Sequence, residues 1–143
     1  MDYIKMTDEF ITAMEQPKGV DISEGEQGGV LSMRLCLIRE EAEEVEDAVC
    51  LLADKVFNAE LLGIDMAEEI KAAKAALLKE LCDLQYVLSG FAVTFGLPFD
   101  EAFKRVHESN MSKLGPDGKP IYREDGKVLK GPNYKKPDLS DLV

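Results

Sequence analysis

The sequence predicts an all-α protein, a bundle of four to five helices with an irregular C-terminal arm. Apolar residues recur with helical periodicity over two long stretches, residues 30–62 and 66–95. Gly63 follows the first stretch and Gly96-Leu97-Pro98 follows the second, as glycine and proline commonly do where helices end. With 143 residues, 45% of them hydrophobic, the chain suits one domain with a core.

Two shorter helices are predicted outside these long ones. Residues 2–15 show a helical apolar face and precede a loop over residues 16–29, QPKGVDISEGEQGG, which holds one proline and four glycines. Asp65 is placed to cap the helix that begins near Met66. Pro98 suits the first position of a last helix that extends to about Ser112.

From Gly115 onward the composition changes, because Gly, Pro, Lys and Asp become frequent and apolar residues sparse. IYREDGKVL (121–129) places Asp-Gly between short apolar flanks, which predicts a short hairpin. We therefore predict a helical body over residues 1–114 and a C-terminal arm over residues 115–143. The arm has little to bury alone, so we expect it either to lie across a neighbouring subunit or a pocket mouth, or to be partly disordered.

The charge and the apolar runs limit the classes of partner. A net charge of −11 argues against direct nucleic-acid binding, which needs a basic surface. No apolar run approaches the ~18–20 residues of a membrane helix, and the N-terminus lacks a signal-peptide pattern. We expect a soluble cytoplasmic protein without nucleic-acid or membrane partners. The cysteines, none in a CxxC spacing, are expected to act as small hydrophobes within helices: Cys36, Cys50 and Cys82.

Each long helix carries two carboxylates on or beside its apolar face. At about 100° per residue, Glu41 in LIREEAEEVEDA (37–48) lies mid-face, and Glu44 lies about 60° to one side. In LLKELCDLQYVL (77–88), Glu80 is again mid-face and Asp83 lies about 60° to one side. The spacing of three residues places both members of a pair on one edge of a helix.

Four inward carboxylates repel one another and are costly to bury without a partner. The nearby cations are Arg34, Lys55 and Lys79, and a divalent cation would neutralise the group better. Carboxylate oxygens are preferred ligands of Mg²⁺ and Mn²⁺, and facing helices of a bundle can supply them. The pattern predicts a Mg²⁺ site at which Mn²⁺ can substitute. Interhelical ion pairs or a dimer seam are the alternative explanations.

The acidic motifs also resemble those of a known family. EEAEE (40–44) and ELCD (80–83) are similar to the EExxE and ExxD motifs of the all-α nucleoside triphosphate pyrophosphohydrolases, the MazG-like superfamily. VHESNMSKLGPDGKP (106–120) and REDGKVLKGPNYKKPDL (123–139) resemble its phosphoribosyl-ATP pyrophosphohydrolase-like subgroup, which includes MazG-like dUTP diphosphatases. The interval of about 35 residues between the two acidic motifs is longer than the family motif usually has, which puts the pocket shape in question.

This resemblance implies an activity and an assembly. The implied reaction is Mg²⁺-dependent hydrolysis of a (deoxy)nucleoside triphosphate between the α- and β-phosphates, with dUTP as the leading substrate. Phosphoribosyl-ATP is the alternative substrate, less favoured because the chain lacks a fused cyclohydrolase. A non-catalytic helical dimer with a structural metal site is a third interpretation. Family members are dimers or tetramers, so we expect a homodimer or homotetramer to complete the bundle.

The resemblance also implies roles for individual residues. Glu40 is either a further metal ligand or the base that prepares the attacking water. Asn110 and Lys113 contact the substrate, and Lys113 contacts its phosphates. His107 shares a helix face with Phe103 and is expected to be packed in the interior, with a substrate role as the second possibility. The implied Mg²⁺ ligands are Glu41, Glu44, Glu80 and Asp83.

Overall fold

The computed structural model describes residues 2–22 and 27–143, which form four α-helices. Within these residues no strand occurs, so the predicted all-α class is confirmed. None of the described helices is both long enough and apolar enough to span a membrane. The chain divides into two compact units, Met1–Gly96 and Leu97–Val143. The helices are α1 (Tyr3–Ala13), α2 (Gly28–Leu62), α3 (Ala67–Thr94) and α4 (Phe99–Met111).

Local signals in the sequence account for several helix ends. Asp2 caps α1, because its carboxylate accepts a hydrogen bond from the Lys5 N–H at 2.9 Å. The Asp65 carboxylate accepts a hydrogen bond from the Ala67 N–H at 3.0 Å and so stabilises the start of α3. Gly63 ends α2 with φ 62°, a left-handed conformation that glycine adopts without strain.

Three predicted boundaries differ from the structure. Glu15 adopts a φ of 54°, which is incompatible with helix, and α1 therefore ends at Ala13. Residues 28–29 form the first turn of α2 and not the end of a loop, because adding a turn to a long helix costs little once the helix is nucleated. Pro98 precedes α4 with a non-helical ψ of 66°, and the Phe99 N–H bonds to the Leu97 carbonyl instead. Residues 23–26 of the predicted loop lie outside the described residues.

The first unit is a helical hairpin with a third helix packed on it. Residues 63–66 connect α2 to α3, these two helices pack together, and α1 packs on α3. Its buried apolar residues are mostly alanines, which allow close approach of the helices: Ile11, Ala48, Ala73, Ala92 and Phe95. The cysteines are free, but the prediction that they pack as small hydrophobes is wrong, because all three are exposed on α2 and α3.

A buried arginine lies on the seam of this unit. Arg34 is only 5% exposed, and its Nη2 donates to the Gln16 side-chain carbonyl at 3.1 Å, whereas its Nε has no hydrogen-bond partner within residues 2–22 and 27–143. Burial lowers the pKa of its guanidinium. Gly90 of α3 leaves room for this side chain, since a Cβ there would lie 3.4 Å from Arg34 Nη1.

Gly90→Ala is expected to stabilise the protein slightly, and Gly90→Val to destabilise it. The alanine methyl group makes ordinary van der Waals contacts and removes the cost of glycine within a helix, about 0.5 kcal/mol. The valine adds methyl groups in a filled space, at a cost of about 1–3 kcal/mol. Urea denaturation followed by circular dichroism measures both free energies of unfolding. Destabilisation by alanine would show that the space beside Arg34 is already full.

The second unit, Leu97–Val143, contains α4 and the arm of residues 115–143. Ser109 Oγ donates to the Lys135 carbonyl at 2.7 Å, and the Lys135 N–H donates to Ser112 Oγ at 2.8 Å. The Gly131 N–H donates to the Lys113 carbonyl at 2.9 Å. These bonds tie the arm to the C-terminal end of α4 and to the turn that follows it. The predicted division of the chain at Gly115 stays a prediction, as does contact of the arm with a neighbouring subunit or pocket mouth.

The rest of the arm is held by turns and ion pairs. The predicted hairpin at residues 121–129 is a single antiparallel bridge between Tyr122 and Val128, closed by the Arg123 N–H to the Lys127 carbonyl at 2.8 Å. Near the C-terminus, the Arg105 guanidinium pairs with the Asp141 carboxylate, which holds the pKa of that carboxyl below its usual range.

Candidate metal centre

The packing of α2 against α3 brings three carboxylates together. Glu41 and Glu44 project from one edge of α2, and Glu80 projects from α3 towards them. One oxygen from each lies within 4.8 Å of the others. Glu41 and Glu80 are half-buried, and Glu44 is exposed, so the group opens to solvent on one side.

Glu41 is the electrostatically unfavourable member of this group. Its Oε2 atom is buried and has no hydrogen-bond partner among the described residues. Burial raises the pKa of the Glu41 carboxyl, and the negative charges of Glu44 and Asp83 raise it further. A buried carboxylate oxygen without a donor is costly, and a cation bound there would remove the cost. The oxygen-only donor set and this unsatisfied atom fit a hard divalent cation such as Mg²⁺.

Lys79 provides a positive charge within this acidic group. Its Nζ lies 2.8 Å from Glu80 Oε2, 2.8 Å from Asp83 Oδ2 and 3.8 Å from Glu44 Oε2. The hydrogen bonds to Asp83 and Glu80 raise the pKa of the Lys79 ammonium. Sequence reasoning named Lys79 as a nearby cation but missed this bridging position. The i, i+4 spacing of Lys79 and Asp83 on α3 is the signal that could have indicated it.

The other predicted residues of the acidic motifs lie near the three carboxylates. Asp83 is not one of the three whose oxygens lie within 4.8 Å, but Lys79 links it to Glu80. Glu40 is exposed on α2, and its charge contributes to the raised pKa of Glu41. The assignment of these residues as metal ligands or base stays a prediction.

The predicted substrate-binding residues belong to α4 and the turn after it. Lys113 Nζ donates to Asn110 Oδ1 at 2.7 Å, so the two residues form a pair. His107 is exposed, so its predicted packing in the interior is wrong. The reason is that its helix face is not a core face in this unit, since Phe103 on the same face is 65% exposed. The substrate contacts of all three residues stay predictions.

Comparison with known proteins gives one family match. A family profile described as phosphoribosyl-ATP pyrophosphohydrolase matches residues 7–110, more than half of the chain. The structure is also similar to a candidate NTP pyrophosphohydrolase from Exiguobacterium sp. 255-15, with 23% sequence identity and a TM-score of 0.44. That similarity covers 96% of this chain and 89% of the other. Among curated proteins, none matches the chain significantly.

Proposed function

The chain belongs to the phosphoribosyl-ATP pyrophosphohydrolase family, and from this premise we propose that it hydrolyses a (deoxy)nucleoside triphosphate with Mg²⁺. The bond cleaved joins the α- and β-phosphates, and the products are the nucleoside monophosphate and pyrophosphate. Membership in a family of pyrophosphohydrolases favours an enzyme over a non-catalytic helical dimer.

One observation supports the metal-dependent reaction above all. Carboxylates from two facing helices converge, and one buried oxygen among them, Glu41 Oε2, has no donor in the part of the chain that the structure describes. A chain with net charge −11 would repel a triphosphate, and a divalent cation removes this repulsion. The residues that would hold the ion are Glu41, Glu44, Glu80 and Asp83.

The protein side chains would divide the remaining work. Bound Mg²⁺ supplies neutralisation of the phosphate charge, a more acidic water and stabilisation of the leaving pyrophosphate. Glu40 is exposed beside the group, where it could accept a proton from the attacking water. Lys113, at the end of α4, would contribute an ammonium group to the phosphates, and Asn110 would orient that ammonium.

Two candidate substrates are supported by different observations. The resemblance of residues 106–120 and 123–139 to the subgroup with dUTP diphosphatases favours dUTP. The family match favours phosphoribosyl-ATP. Selectivity between them depends on a few hydrogen bonds to the base and the sugar.

The test is direct detection of pyrophosphate from a panel of canonical and deoxynucleoside triphosphates plus phosphoribosyl-ATP. We expect release from dUTP with Mg²⁺ or Mn²⁺, and none after chelation with EDTA. Release of pyrophosphate from phosphoribosyl-ATP alone would identify that compound, and not dUTP, as the substrate. Release of pyrophosphate without metal would contradict the Mg²⁺ site. No release from any nucleotide of the panel would contradict the proposed reaction.

The oligomeric state is part of the same proposal. Large apolar side chains are exposed on both long helices, and contiguous apolar surface of this kind often marks a protein–protein interface. They include Val49, Leu51, Phe57, Leu61, Leu62 and Leu78. We propose that a homodimer or homotetramer covers them, and sedimentation velocity measures the state directly.

A further inference from the structure

The position of Lys79 has a consequence for metal binding. Its ammonium hydrogen-bonds to Glu80 and Asp83 with equal N–O distances of 2.8 Å, and Glu44 lies 3.8 Å away. Three of the four proposed ligands therefore share this internal cation. The fourth, Glu41, has the buried oxygen to which no described residue donates.

An ammonium and a divalent cation compete for the same carboxylate oxygens. Mg²⁺ requires close oxygen ligands in a nearly octahedral arrangement, which an ammonium hydrogen-bonded to those oxygens obstructs by position and by charge. The two cations would also repel each other across the small group of ligands. Binding of the ion at Glu80 and Asp83 therefore requires that the Lys79 ammonium leave.

The side chain of Lys79 is suited to such a departure. It is 61% exposed and ends a flexible four-carbon chain, so the ammonium can rotate into water, where it is strongly hydrated. Ion pairs of this exposure are weak individually, so a divalent ion can displace the Lys79 ammonium at a small free-energy cost.

We propose that Lys79 is the internal counter-ion of the acidic group, a positioning residue that Mg²⁺ displaces from Glu80 and Asp83. In the metal-free protein it holds these carboxylates from α3 beside Glu44 of α2. It thereby stabilises the empty site and weakens metal binding. This inference rests on the Mg²⁺ site of the proposed function.

The test is Lys79→Met, which keeps the length of the side chain and removes the charge. We expect isothermal titration calorimetry with Mg²⁺, and separately with Mn²⁺, to show binding about three- to tenfold tighter than in the wild type. The metal-free variant should melt at a lower temperature, because the carboxylates repel, and its melting temperature should rise more when Mg²⁺ is added. Both differences should shrink at high salt.

Lys71→Met is the matched control. It lies on the same helix, is exposed, pairs with Glu68 at 3.5 Å and produces the same change in net charge. We expect its affinity for Mg²⁺ to stay within about twofold of the wild type, which separates displacement of Lys79 from the effect of overall charge. Lys79→Gln provides a second neutral variant if the methionine lowers solubility.

The outcomes separate this inference from the proposed function. If the wild type binds neither Mg²⁺ nor Mn²⁺, the proposed metal site itself fails. If the wild type binds the ion and both Lys79 variants bind it equally or more weakly, the displacement is overturned although the site stands. Equal tightening in Lys71→Met would also overturn it, because the cause would then be net charge alone.

Discussion

Glu41→Gln is expected to lower kcat/KM for pyrophosphate release by at least about 100-fold while the helices remain intact. The carboxylate is half-buried and holds the buried oxygen that has no donor among the described residues. An amide keeps the shape but removes the charge and one of the two oxygen ligands. A divalent ion then binds more weakly at the buried position, and the negative charge of the substrate phosphates is less well neutralised.

The stability of this variant distinguishes a functional role from a structural one. Burial and the neighbouring like charges raise the pKa of the Glu41 carboxyl, so neutralising it should not lower the melting temperature of the metal-free protein. If the acids served mainly as interhelical ion pairs, the substitution would lower that temperature instead. Circular dichroism and a thermal melt with and without Mg²⁺ separate these cases.

The control for Glu41→Gln is Glu46→Gln, an equal change of charge on the exposed face of the same helix. We expect its activity to be near that of the wild type. Asp83→Asn should be measured in parallel, because Asp83 is a proposed ligand from the other helix and pairs with Lys79 at 2.8 Å. Undiminished activity in both Glu41→Gln and Asp83→Asn would end the proposal of a catalytic metal site.

The features that sequence reasoning predicted correctly are those that depend on local chain geometry. Helix periodicity and the end signals at Gly63 and Asp65 depend on residues a few positions apart, and the structure has helix ends at both. The same periodicity placed Glu41 and Glu80 on the inner faces of their helices, and both are half-buried. Two helices joined by a short connection must face each other, which explains why their inward acids converge.

The features that sequence reasoning missed depend on where long side chains extend and on contacts between segments distant in the sequence. Lys79 lies beside the apolar face of α3, and a helical projection cannot show that its long side chain returns to Glu80 and Asp83. The positive φ of Glu15 could not be predicted from the residue type, because glutamate rarely adopts a positive φ. The expected burial of His107 was wrong because a projection identifies a shared face without showing what covers it.

The contact between the arm and α4 joins residues far apart in the sequence, so no local pattern predicted it. Gly131→Ala is expected to detach the arm from α4 and to lower kcat/KM by about tenfold. A Cβ at Gly131 would overlap the Leu114 carbonyl oxygen and lie 2.8 Å from that of Lys113. Both atoms are backbone, so the clash is relieved only if the Gly131–Lys113 hydrogen bond breaks, at a cost of about 1–3 kcal/mol.

The loss of activity would come from the residues that the arm holds in place. Lys113 accepts the Gly131 hydrogen bond through its backbone and pairs with Asn110 through its side chain. Freeing the chain there would leave the proposed phosphate-binding ammonium disordered, so the effect should fall mainly on KM. Removal of residues from Gly115 onward should act in the same direction and more strongly.

Hydrogen exchange and steady-state kinetics together decide the role of the arm. Faster exchange in residues 115–143 of Gly131→Ala, with raised KM and unchanged Mg²⁺ affinity, is the expected result. Gly29→Ala is the control, since a Cβ there meets no atom of the described residues within 4 Å, and it should change neither the exchange rate of the arm nor KM. If exchange accelerates in the arm while KM stays constant, the arm is an appendage. The substrate phosphates would then be bound through the metal that the acidic group holds, without Lys113.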